Sequence, residues 1–408
     1  MNSIEEKKYI SDVVEKIARE CPKRQATSED ERRAHEMIKK EFEKTGLKTT
    51  IHSFLFNNNI HQNMVLHFAL GVLGTILLPY TPFLSFLLYL LGAISYWGDS
   101  TRRFYFLRRL LGFHPSQNVI GMIPSNVETQ LRIVFLSHMD AAFTGLVFNP
   151  RFLEKTHKNL EKTPYILKRP IEIGVICMLL LGALALIESI FGVWSTSVYY
   201  VEWLITLPVF LIALINTEIL FRNFIVPGAN DDLSGVASLP ILAQRLMKEK
   251  HPDVEYHFVA TGCEEASLGG ADALARDMKN TWDQKKTVVI ALDGLSMGDL
   301  RYLVSEGEVV RKPNPAWLVD LTVKVAATEP RFQEIKPFEI PVGGTDAGAF
   351  LAHGYETMAL VCVDPKYGAP RFYHCPEDAP ENLDIDKIIY SLDFTEKLVR
   401  EIVKYRLS

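Results

Sequence analysis

Two apolar stretches, residues 64–97 and 171–220, constrain this chain more than any other feature. The first, Met64–Trp97, is broken by Pro79-Tyr80-Thr81-Pro82, which predicts two helices of roughly 15 residues joined by a tight turn. The second, Ile171–Leu220, divides near Gly192–Tyr200, so about four hydrophobic helices are expected. Neither stretch shows a polar face at helical spacing, and a helix apolar all round needs lipid or a large surrounding core. Buried core helices are the alternative, because a span usually takes about 20 apolar residues. Insertion into a lipid bilayer is the reading adopted, making this an integral membrane protein. Glu172 and Glu188 then lie near the ends of the third helix, while Glu202 and Glu218 bound the fourth, positions that point to the membrane interfaces. Arg102, Arg103, Arg108, Arg109, Lys155, Lys158, Lys162, Lys168, Arg169 and Arg222 flank the hairpins, whereas the tips Pro79–Pro82 and Gly192–Tyr200 carry no Lys or Arg. That asymmetry places the rest of the chain in the cytoplasm.

Around these insertions the pattern is α/β. Ser28 and Glu31 form a capping box that opens a helix ending at Gly46. The strand KTTIHSFLF follows, and further strands are read at Gln117–Met122, Arg132–Leu136, Tyr256–Ala260, Thr287–Leu292 and Thr357–Val363. Helices are read at Ser234–Lys248, Leu268–Asn280 and Asp384–Tyr405. The interleaving predicts a mostly parallel mixed sheet with helices on both faces. One domain is then assembled from residues 1–63, 99–141 and 221–408, interrupted by a hydrophobic hairpin at 64–98 and an insertion at 142–220 that carries the second hairpin. With 408 residues and 48% hydrophobic content, one large domain with insertions is the better division. The formal net charge of -5 excludes a broad basic surface, so nucleic acid is not an expected partner. Five cysteines without close pairing favour a reducing compartment. The first twenty residues are charged and lack the apolar core of a secretory signal, so the N-terminus is expected to start within the folded protein.

Polar residues cluster where strands end, the edge at which open α/β sheets bind ligands. RIVFL runs into Ser137-His138-Met139-Asp140, and EYHFVATG into Cys263-Glu264-Glu265. TVVIAL ends on Asp293, Pro227–Asp232 precedes a helix, and Tyr373-His374 follows the last strand. Two imidazoles with several carboxylates and no thiolate set suit a pair of zinc ions. A carboxylate bridging ions about 3.5–4 Å apart would complete a site that activates water, and a further carboxylate would take the water's proton. Taken singly, each cluster is ordinary solvated surface; their common edge is what carries the reading. The other nine histidines, including His67, His251 and His353, are read as structural, and Cys263 and Cys375 as flanking residues rather than ligands.

LSHMDAAF, GANDDLSGVA, ATGCEEASLGGADAL, IALDGLSMG, GGTDAGAF and YHCPEDAPENLD resemble, in order, the motifs of the bacterial leucyl aminopeptidase and glutamate carboxypeptidase family of dinuclear zinc peptidases. The resemblance implies that Asp231 bridges two zinc ions, with His138 and Asp293 on one and Glu265 and His374 on the other. It makes Glu264 the general base and Tyr373 a donor to the developing oxyanion. Asp140 would orient the His138 imidazole, and Asp378 would do the same for His374. Two departures, Thr345-Asp346-Ala347 and Ser267, bear on the substrate pocket. The implied activity is a membrane-anchored aminopeptidase whose partners are the bilayer and a peptide substrate, itself membrane-associated. The alternatives are a glutaminyl cyclase-like acyltransferase with one zinc and a non-catalytic membrane scaffold.

Overall fold

The computed structural model describes residues 2–157, 163–192 and 195–408. Lys158 and Lys162 of the basic flank, and two residues of the Gly192–Tyr200 tip, lie outside the described residues. Among the described residues nine strands form one sheet: β1 (Lys48–Phe56), β2 (His114–Ile123), β3 (Leu131–His138), β4 (Val254–Thr261), β5 (Thr287–Asp293), β6 (Asp299–Glu306), β7 (Lys312–Pro313), β8 (Lys336–Glu339) and β9 (Glu356–Val363). Their order is β1-β2-β4-β3-β5-β9-β6-β7, with β8 also paired to β6. The centre, β4-β3-β5-β9, is parallel, and antiparallel partners join it on both sides.

The central strands are short apolar runs because both of their faces are covered. In β3, Ile133 and Phe135 enter one core and Val134 and Leu136 the other; in β5, Val288 and Ile290 alternate in the same way with Val289 and Ala291. Helices α1 (Ser3–Glu20), α2 (Glu29–Lys44), α7 (Ser234–Lys248), α9 (Ala316–Thr328) and α11 (Ile385–Leu407) pack on the first face. Helices α8 (Gly269–Asp277) and α10 (Asp346–Ala352) cover the second.

Four apolar helices stand apart from these layers: α3 (Ile60–Leu77), α4 (Pro82–Ser100), α5 (Pro170–Phe191) and α6 (Thr196–Arg222). α3 and α4 have 18 and 19 residues, longer than expected, because Asn59 caps α3 through the amides of His61 and Gln62, ahead of the apolar run. α3, α5 and α6 are long and apolar enough to cross a membrane. The four helices pack on one another, not inside the sheet domain. Close approach uses glycine at several points: a Cβ on Gly71 would stand 2.7 Å from Val209, one on Gly174 2.5 Å from Ile212, and one on Gly92 2.9 Å from the His67 carbonyl oxygen. Inside the bundle the Thr75 hydroxyl meets Tyr89 and Thr206, each at 2.7 Å. Leu73, Phe83, Leu87, Leu179, Leu204, Leu207 and Leu214 face outward and are exposed. Glu188 and Glu202 do lie near helix ends, but both turn inward and are buried.

The bundle is tied to the sheet domain at its near end. Tyr96 donates to Glu308 at 2.9 Å. Arg108 makes a paired contact with Asp99 at 2.7 and 2.8 Å and donates to the Ala266 carbonyl at 2.8 Å. Arg102 donates to the Ser267 carbonyl at 2.7 Å. Arg108 is therefore buried and neutralised by Asp99, and contributes no free positive charge to the flank of the first hairpin.

Candidate metal centre

The parallel register fixes where the site forms. His138, the last residue of β3, pairs with Thr261, the last of β4, so the loop carrying Glu264 and Glu265 starts beside the imidazole. Asp293 ends β5 on the same edge. Asp231 arrives on the turn Ala229–Leu233 before α7, and His374 on the loop after β9. The Asp231–Asp232 peptide bond is cis.

One carboxylate oxygen of Asp231 lies 2.9 Å from His138 Nε2, and the other lies 3.5 Å from His374 Nε2. Glu265 lies 3.4 Å from His374 Nε2, and Glu264 lies 4.0 Å from His138 Nε2. Two groupings able to hold a metal ion, His138-Asp231-Asp293 and Asp231-Glu265-His374, share Asp231; a third joins His138 to Glu264 and Glu265. All five expected ligands and the expected base thus converge.

The electrostatics of the cluster call for cations. Burial pushes the Glu264 and Asp293 carboxyls well above the usual carboxylate range, with Glu265 adding to the shift of Glu264 and Asp231 to that of Asp293. Burial also raises Glu265. It works in the same direction on Asp231, but hydrogen bonds with His138 and His374 outweigh it and leave that carboxyl below its usual value. Burial opposes charge on His374, yet Glu265 and Asp231 push it up to about 10. A nest of carboxylates that draws protons onto its imidazoles is a nest that divalent ions would neutralise. Glu265 Oε1 is buried without a hydrogen-bond partner, so the donor set fits zinc in both charge and unfilled valence. Tyr373 stacks on His374, with ring centroids 3.8 Å apart, and burial with the neighbouring carboxylates keeps its hydroxyl protonated.

Two expected supporting roles come out differently. The Asp140 carboxylate stands 3.7 Å from His138 Nδ1, while the Asp140 backbone carbonyl takes the imidazole contact at 3.0 Å. Its carboxylate oxygens instead accept the amides of Glu264 and Glu265 at 2.9 and 3.0 Å. Asp378 does not reach the His374 imidazole; it accepts the amides of Asn230 at 2.6 Å and Asp231 at 3.1 Å. Both acids hold backbone that presents ligands, because the nearest unsatisfied donors are amides of irregular loops.

Other residues with this task were not read from the sequence. Asp232 accepts the amides of His138, Gly235 and Gly294 at 3.0–3.1 Å, tying the ends of β3 and β5 to the start of α7. Buried Arg24 donates to the carbonyls of Met139, Pro227 and Gly228. In the expected capping box, Ser28 does accept the Glu31 amide, but the Glu31 carboxylate turns to the amides of Thr27 and Cys263, each at 2.8 Å. Asp346, in the departing motif, accepts from the Thr261 hydroxyl beneath the site.

Two cavities meet at the cluster. One, about 90 Å³, runs from Asp231 and Asp293 to Phe338, Ile340, Val361 and Val363. The other, about 290 Å³, opens from Glu264, Glu265 and His374 toward the helix bundle. Among the described residues of the segment 151–170, Leu153 and Pro170 reach that second cavity, and the bundle helices add Ile60, Met64, Ile171, Ile212, Ile215 and Ile219.

Residues 217–398 match peptidase family M28. The matched segment holds Asp231, Glu264, Glu265, Asp293, His374 and Asp378; His138 and Asp140 lie before it and are brought in by β3. No curated protein matches the chain. Among solved structures, the chain is similar to an aminopeptidase from Aneurinibacillus sp. strain AM-1, with 14% identity, TM-score 0.56, and coverage of 96% of this chain and 93% of that one. It is similar to the zinc aminopeptidase BSAP from Bacillus subtilis, with 13% identity, TM-score 0.55, and coverage of 97% and 94%. A Porphyromonas gingivalis glutaminyl cyclase is comparable, with 11% identity, TM-score 0.54, and coverage of 97% and 98%. These likenesses establish the fold. Together with the M28 match, they support a zinc metallopeptidase.

Proposed function

We propose that this chain is a membrane-anchored, dinuclear zinc exopeptidase of the aminopeptidase type. The observation that carries the reading is Asp231, whose two carboxylate oxygens face different imidazoles while a separate carboxylate, Glu264, stands beside them. In this reading His138, Asp231 and Asp293 hold one ion, Asp231, Glu265 and His374 the other, and Glu264 is left to act as base. Zinc, when bound, supplies Lewis-acid polarisation and a lowered pKa for water. Glu264 takes the attacking water's proton and returns it to the leaving amine. Tyr373, protonated and beside His374, donates to the oxygen that gains charge. Asp140 keeps Glu264 and Glu265 in place by anchoring their amides.

The outward apolar faces of the bundle support its insertion in a bilayer. The basic residues at its near end support a cytoplasmic sheet domain. The test is Glu264→Gln: zinc content should stay near that of the parent while turnover falls roughly 10²–10⁴-fold. Loss of zinc from that variant would remove Glu264 from the base role. The glutaminyl cyclase reading is favoured only by the shared fold, and product analysis separates the two.

A further inference from the structure

The two cavities differ in a way that assigns the parts of a substrate. The smaller, at about 90 Å³, has under a third of the space of the larger and suits the shorter part of a substrate. The larger, at about 290 Å³, has room for more than one residue and shares Glu264, Glu265 and His374 with the metal centre. Its bundle-side wall is Phe148 of the second insertion, Met64 of α3, Ile171 of α5, and Ile212, Ile215 and Ile219 of α6. Among the polar side chains in that wall, His61 meets Asn216 at 2.7 Å and Glu308 accepts from Tyr96 at 2.9 Å. Phe148 also packs on His374, with ring centroids 4.5 Å apart, so the apolar wall begins at a proposed metal ligand.

We infer that this larger cavity, walled on its bundle side by the inserted helices, is the groove for the leaving segment of the substrate, and that it selects peptides whose second and third residues are hydrophobic. The inference rests on the aminopeptidase reading: the N-terminal residue occupies the small cavity, the scissile bond lies at the cluster, and the remaining chain passes between α3, α5 and α6. Recognition there is by burial of apolar side chains, because Met64, Ile171, Ile212, Ile215, Ile219 and Phe148 line the groove beyond the cluster. Each leucine-sized side chain fully buried should raise affinity about tenfold or more.

The test uses the full-length chain loaded with zinc and compares Leu-Leu-Phe-Ala with Leu-Ala-Ala-Ala, which share their N-terminal residue. The expected result is a kcat/KM at least about tenfold higher for the hydrophobic peptide. Ile215→Asn should shrink that ratio toward unity through a higher KM, and the milder Ile215→Ala should shrink it in the same direction. Calorimetry of the leaving product Leu-Phe-Ala against Ala-Ala-Ala provides an arm that does not depend on turnover. Tighter binding of the hydrophobic product, weakened by Ile215→Asn, supports the groove, whereas equal binding and equal kcat/KM overturn it. If neither peptide is cleaved and the hydrophobic product still binds selectively, the aminopeptidase reading fails and the groove stands.

Discussion

Asp378→Asn isolates the least visible part of the site, the carboxylate that presents Asp231 without being a proposed ligand. Asp378 accepts two buried amides, Asn230 at 2.6 Å and Asp231 at 3.1 Å, on the turn that carries the proposed bridging carboxylate. Asparagine keeps one acceptor oxygen and turns an NH₂ group toward the other amide, so one bond is lost and two donors face each other. Hydrogen bonds to a charged group contribute about 1.5–3 kcal/mol, and the buried amide left behind cannot find water. Because that turn is the one that must hold both ions, the cost should appear mostly in metal binding. Zinc affinity is therefore expected to fall about 10- to 100-fold. Competition against a chromophoric chelator reads that change directly, and activity should return at saturating zinc. Unchanged zinc affinity, or activity that excess zinc fails to restore, would refute the assignment of Asp378 to the turn.

Three further outcomes are expected. Arg108→Met leaves the Asp99 charge buried and unpaired and frees the Ala266 carbonyl, so stability should drop by about 3–5 kcal/mol, read as a lower unfolding midpoint. Glu255 is held down to about 2 by His257 and Arg132, so between that value and its unfolded pKa the native state binds fewer protons than the unfolded chain. Its contribution is whole above about pH 4.5 and is lost as pH falls toward 2, and Glu255→Gln should flatten the acid limb of the stability profile over that window. Cysteine placed at exposed Ser197, near the tip between α5 and α6, should react with a membrane-impermeant maleimide added outside intact cells; reaction only after permeabilisation would reverse the proposed orientation.

The site's principal residues were legible because each interrupts a strong pattern. His138, Glu264 and Asp293 follow apolar strands directly, and a polar residue at the end of a buried parallel strand has one edge of the sheet to occupy. The partners of Asp140, Asp378, Glu31 and Arg24 were not legible, because each is chosen by amides or carbonyls that only the folded chain brings near. Arg24, for instance, joins segments 115 and 203 residues away. The stretch 299–352 escaped for local reasons. β7 has two residues, β8 contains Pro337, and α9 is rich in Val and Thr, which weaken the helical signal. The hairpins were visible as apolar runs, but their role as a cavity wall depends on how α3, α5 and α6 meet the cluster, which composition does not encode.

The central claim is tested most directly by measuring zinc per chain and identifying the products formed by that same sample from peptides beginning with leucine and with glutamine. The account predicts two zinc ions per chain, fewer in Asp231→Asn, and release of the free N-terminal amino acid with a peptide one residue shorter. A single zinc with ammonia released and a cyclised N-terminal glutamine, or full zinc occupancy in Asp231→Asn, would contradict it.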